Sequence, residues 1–154
     1  MKKILACLMT ALAALTVSSA RAETQTARIR LTIGDEVLYV DLEDNSAADA
    51  LFKQLPLTLT FEDFNGTEKI AYPDEALDTS DAPTSCTPAA GTLAYYMPWG
   101  NLCVFYRDFR ESSGLVPLGR VDGDVQILGR QTGSFTVLME RVEAPKDEAP
   151  QSVD

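Results

Sequence analysis

The side chains able to do chemistry in this 154-residue chain are carboxylates, arginines and three cysteines, because the sequence contains no histidine. That absence removes imidazole general acid–base catalysis, the Ser-His-Asp triad and every histidine-based metal site. Acids are plentiful, but none are spaced as the pair of a carboxylate hydrolase. Glu62 and Asp63 stand beside Asn65 and read as a strand end and its turn. Asp74–Asp81 is acid-rich yet lacks the Asp-x-Asp-x-Asp-Gly order of a calcium loop, so it reads as a solvated connection. Glycine-rich phosphate loops, serine nucleophile elbows and zinc-ligand spacings are also missing. The sequence therefore nominates no catalytic residue, no metal and no cofactor.

What it does nominate is a surface for holding something. The stretch Thr87–Phe109, TPAAGTLAYYMPWGNLCVFYRDF, carries the one tryptophan and two apolar runs joined by a Pro98–Asn101 corner. Trp99, wedged between Pro98 and Gly100, either plugs the end of the fold or faces a ligand, and the drive to bury tryptophan favours the plug. Arg107, Arg110 and Arg120 are cations that could ring a pocket mouth, or serve as salt-bridge partners on an acidic surface. The candidate ligand-binding set is Trp99, Tyr106, Arg107, Phe109 and Arg120, with a peptide or small molecule as the expected ligand.

The N-terminus sets the expected compartment. Lys2 and Lys3 precede an apolar run, Ile4–Val17, which ends in a small-x-small site at Ala20-Arg21-Ala22. The run is shorter than the roughly 20 residues that span a bilayer, so residues 1–22 read as a signal peptide of bacterial type, cleaved after Ala22. The expected destination is the periplasm or the exterior. Cleavage removes three cations and no acid, deepening a net charge of −10 by three. So acidic a chain lacks the Lys and Arg that hold phosphate, and neither nucleic acid nor an anionic membrane is an expected partner. Cys86 and Cys103 remain in an oxidising compartment. They read as a disulfide worth about 3 kcal/mol, with two unpaired thiols as the other reading and a redox pair disfavoured by the lack of C-x-x-C spacing.

These residues must be positioned by strands. ARIRLTI (Ala27–Ile33) alternates strictly, Gly34-Asp35 is a hairpin turn, and EVLYVDL (Glu36–Leu42) is its partner. Asp44-Asn45-Ser46 offers caps for a helix over Ala47–Leu55, which Pro56 stops. Leu57, Leu59 and Phe61 alternate as the next strand, Asn65-Gly66 turns, and Lys69–Tyr72 reads as a short edge strand. Asp74–Pro88 reads as a long loop with one helical turn at Asp74–Leu77. Two central strands flank the Trp99 corner. Val116–Val121 is a strand kinked at Pro117 and Gly119, and Ser134–Arg141 is the last strand. Between them Asp124 could cap a short helix through Leu128. Residues 143–154 carry prolines and charges without apolar period and read as a disordered acidic tail. About eight short strands and one or two helices over residues 23–142 suggest a single, mostly β domain, a closed or nearly closed antiparallel barrel.

Two blocks make the pattern specific: LPLTLTFEDFNG (Leu55–Gly66) and PWGNLCVFYRDF (Pro98–Phe109), followed late in the chain by GRV-D-G. Over roughly Ile29–Glu140 the sequence resembles the small bacterial cyclophilin-like domain family. The resemblance implies a closed eight-stranded cyclophilin-like barrel with short helices at its openings. True cyclophilins are peptidyl-prolyl isomerases that use an arginine beside a phenylalanine and a histidine. Their F-H-R segment and later histidine have no counterpart here, so the resemblance reaches the fold and not the activity. Three functions follow as alternatives: a non-catalytic binding or accessory module, a divergent prolyl isomerase or chaperone-like factor, and a structural domain without a pocket.

Overall fold

A computed structural model describes residues 26–143. The expected signal peptide, and all but the first residue of the expected tail, lie outside the described residues. Alternation decides the opening hairpin. Ile29, Leu31 and Ile33 of β1 (Arg28–Ile33) are buried, while Arg28 and Arg30 pair on the outer face with Asp41 and Glu140 at 2.7 and 2.6 Å. Gly34 turns the chain at φ 58° into β2 (Glu36–Leu42). Helix α1 (Ser46–Gln54) is capped by Asn45, whose Oδ1 accepts from the amides of Ala47 and Ala48, and it buries Ala47, Ala48 and Leu51. The remaining elements are β3 (Leu57–Phe64), β4 (Glu68–Ala71), β5 (Ser85–Cys86), β6 (Thr92–Tyr96), β7 (Asn101–Phe105), β8 (Ser112–Ser113), β9 (Leu115–Asp122), α2 (Gln126–Gly129) and β10 (Phe135–Arg141).

Eight of these strands close into an antiparallel barrel in the order β1-β10-β3-β4-β7-β6-β9-β2, as the strand count and the resemblance imply. Closure leaves the barrel itself no strand edge to template association. It also corrects the expectation for β4, which is no edge strand: it pairs with β3 on one side and β7 on the other. The expected kink in β9 is a bulge, since Leu93 pairs with Gly119 but Ala94 with Pro117. A Cβ at Gly119 would lie 2.5 Å from the Asp41 carbonyl oxygen, so only glycine lets β9 approach β2 this closely. Helix α1 precedes the start of β3, and α2 precedes the start of β10, its antiparallel neighbour, so the helices sit at opposite openings.

The long connection differs from its expected form. No helix forms at Asp74–Leu77. Instead Leu77 is buried and its amide donates to the Tyr95 hydroxyl, so a side-chain contact fixes the segment. Further on, β5 pairs with β8 in a two-stranded patch outside the barrel. At the far end Asp124 does accept from the Gln126 amide, but the helix behind it is a single turn.

The core is split in two. Leu31, Val40, Phe61, Leu93, Leu102, Val104 and Met139 belong to a large cluster that fills the barrel. A smaller one, Ile70, Ala94, Cys103, Phe105 and Leu115, lies on the opposite face of β4, β6 and β7, with Cys86, Tyr96 and Phe109 packed against it. No bond joins Cys86 to Cys103, contrary to the expected disulfide. Both are free thiols, and the buried Sγ of Cys103 instead contacts Asn101 Oδ1 at 3.5 Å. Among the described residues no helix is long and apolar enough to cross a membrane.

Candidate functional site: a cleft on the outer barrel wall

The second core cluster is the floor of a cleft of about 610 Å³ on the outside of the barrel. Register explains which side chains reach it. Along β7, Asn101, Cys103 and Phe105 alternate with the barrel-filling Leu102 and Val104, because successive strand residues point to opposite faces. Their partners across the ladders are Tyr96 on β6 and Glu68 on β4, and Phe64 on β3 stands opposite Glu68. The walls are the Trp99 corner and the segment Phe109–Ser113.

Trp99 is half exposed on the rim, at 50%, and so is not the expected plug. Its ring meets Phe64 and Tyr96 edge-on at 5.2 and 5.5 Å, a geometry that uses the ring quadrupoles and fixes the indole while leaving a face to solvent. Across the cleft Phe109 stacks on Phe105 at 6.3 Å, and the Arg110 guanidinium covers Phe109 at 4.6 Å.

Two polar groups in this apolar setting have no partner among the described residues. Asn101 is 1% exposed, and its Nδ2 donates to nothing. An orphaned buried donor of this kind costs about 1–3 kcal/mol, which a ligand acceptor would relieve. Burial, reinforced by the nearby Asp63 carboxylate, raises the Glu68 carboxyl to about 7. Burial likewise pushes the Cys103 thiol far up, so it is an inert neutral group and no nucleophile. The described residues hold no cluster of three or more acid or thiol groups fit for a metal.

Of the five residues in the candidate ligand-binding set, the cleft unites Trp99 and Phe109 and leaves out Tyr106, Arg107 and Arg120. Tyr106 points into the barrel end, where its hydroxyl donates to Asp63 Oδ1 at 2.6 Å. Burial and that bond raise it to about 12. Arg107 is exposed beside the Tyr106 ring at 5.8 Å. Arg120 lies on the exposed side of β9 and donates to the Ala90 carbonyl. The arginine that does line the cleft is Arg110. Glu68 and Asn101 went unrecognised because they sit at strand boundaries. The signal was Asn101 itself, a polar residue opening an apolar strand on the face shared with Cys103 and Phe105.

A closed eight-stranded antiparallel barrel with short helices at its two openings is the architecture of a cyclophilin-type fold. A profile described as the cyclophilin-like family matches residues 31–140, and the chain belongs to that family. The fold is similar to the solution structure of a hypothetical protein from Archaeoglobus fulgidus. That similarity has a TM-score of 0.61 and 18% identity, over 77% of this chain and 96% of the other. At that identity the likeness speaks to fold alone. No curated protein sequence matches the chain significantly.

Proposed function

We propose that this chain is an exported cyclophilin-like binding or accessory module that holds a peptide or small ligand in the outer-wall cleft. One observation carries the reading: a buried, unpartnered donor, Asn101 Nδ2, in an aromatic cleft of about 610 Å³. Ligand sites are concave, mostly apolar and punctuated by a few placed polar groups, and their usual volumes run from about 300 to 1,000 Å³. The Lys2-Lys3 start, the apolar Ile4–Val17 run and Ala20-Arg21-Ala22 support export.

The alternative is a divergent prolyl isomerase, favoured by Arg110 standing over Phe109 at the cleft, an arginine beside a phenylalanine. One experiment separates the two. The full chain is titrated with a proline-containing peptide while tryptophan emission is read, and the same sample is assayed for cis–trans isomerisation. Saturable emission change without rate enhancement supports the binding module. Rate enhancement that disappears in Arg110→Ala supports the isomerase. An unchanged emission together with no catalysis removes both.

A further inference from the structure

Within the cleft, the two unpartnered groups are complementary to different things. Asn101 Nδ2 is a neutral donor and requires an acceptor such as a carbonyl. Glu68 is a half-buried carboxylate that enters no ion pair among the described residues. Its sequence neighbour Lys69 cannot help, because the Lys69 ammonium points into the barrel and is held by Asp63 at 3.2 Å and the Gln131 carbonyl at 2.8 Å. Arg110 is stacked on Phe109, and Glu111 adds a second acid to the lining.

Spacing limits the size of what satisfies both. Glu68 is the register partner of Phe105, four residues along β7 from Asn101. At about 3.4 Å per residue that is roughly 14 Å, too far for one small polar group and suited to an extended chain bearing a long side chain. Between the two points the surface is apolar, formed by Cys103, Phe105 and Leu115 with Trp99 and Phe64 at the side. An anionic ligand meets Glu68, Glu111 and a chain of net charge −10, whereas a cationic one is steered inward.

We propose that the occupant is an extended basic peptide segment: a backbone carbonyl accepts from Asn101 Nδ2, and a lysine or arginine side chain pairs with Glu68. This rests on the reading of the cleft as a binding site and names its ligand class. The pKa of about 7 at Glu68 agrees with it, since a carboxylate left without a cation in that setting holds its proton. The titratable and charged groups around Glu68 are Asp63 of β3, which acts on it from the other face of the sheet, Cys103 of β7, and Arg110 and Glu111 elsewhere in the cleft lining. Asp63 adds to its reluctance to ionise, and a ligand cation would reverse that.

The test is calorimetric titration of the full chain at pH 8 with two capped pentapeptides, Ala-Phe-Ala-Lys-Ala and the same peptide with Gln for Lys. The lysine peptide is expected to bind about tenfold tighter, the scale of one desolvated charge pair. Glu68→Gln then brings the two to within about twofold of each other, and the lysine peptide loses affinity on lowering the pH from 8 to 6. Asn101→Ala weakens both peptides about equally while keeping the preference for lysine. Equal binding of both peptides to the native chain overturns the basic-peptide assignment and leaves the cleft reading standing. Binding of neither overturns both. Should Asn101→Ala fail to fold, Glu68→Gln, which keeps shape and changes only charge, decides the question alone.

Discussion

Lys69 and Glu68 are neighbours on β4, one residue apart and on opposite faces of the same sheet, and their surroundings differ in kind. Lys69 is 2% exposed, yet everything its ammonium needs is provided: Asp63 Oδ1, the Gln131 carbonyl and the faces of Tyr106 and Phe135 at 5.4 and 5.8 Å. Asp63, itself exposed, is satisfied in turn by Tyr106, by Lys69 and by the Gly66 amide, which hold its carboxyl below the ordinary range. On the outer face Asn101 Nδ2 is buried with no partner, and the half-buried Glu68 carboxylate has no cation beside it among the described residues. A buried polar network that is complete stabilises and specifies a fold. One that is left open costs stability and is retained where something else completes it. The barrel interior is therefore the structural side of this sheet, and the outer wall is the side we propose for binding.

Breaking the interior has the largest expected effect. Lys69→Ala empties the space of a buried stem and takes the cation from the exposed Asp63, so urea denaturation should show a loss of about 2–5 kcal/mol, most of it from the cavity. A loss under 1 kcal/mol would show that the network is incidental.

Acting on the outer face should have the opposite sign. The folded-state pKa of Glu68 is raised, so its favourable contribution is present below the unfolded value of 4.5 and is lost as pH rises through about 7. Glu68→Gln should therefore stabilise the chain at pH 8, by about 1 kcal/mol after allowing for partial exposure, and make no difference at pH 4. Asp63 runs the other way. Its lowered pKa contributes stability above the unfolded value of 3.8 that is lost as pH falls through the folded one. Thermal melts of the two single variants across pH separate the faces, with Asp63→Asn flattening the acid limb and Glu68→Gln the neutral one.

The smallest effect belongs to Arg120. Exposed and bonded only to a carbonyl at 3.4 Å, it can be changed to alanine with stability within about 0.5 kcal/mol and no change in ligand affinity.

The strands were legible in the sequence because period-two alternation survives in β1, β2 and β3, where one face is wet. The closure of β4 was not, since pairing on both sides is a long-range outcome that four residues cannot announce. The site was half legible. Trp99 and Phe109 are conspicuous residue types in a conspicuous corner. Tyr106 and Arg107 shared that segment, but one step along a strand reverses the face, which sends Phe105 to the cleft and Tyr106 to the barrel end. Glu68 drew no notice as one acid among 23, and only the register opposite Phe105 makes it a cleft residue.

The most direct test of the outer wall as the binding side is a side-chain amide and indole NMR titration of the full chain with the lysine pentapeptide. Saturable shifts of the Asn101 Nδ2 and Trp99 Nε1 resonances are expected, with the Gln131 amide of the barrel end unmoved. Shifts centred on Gln131, or none at Asn101 under saturating peptide, would contradict the outer wall as the binding side.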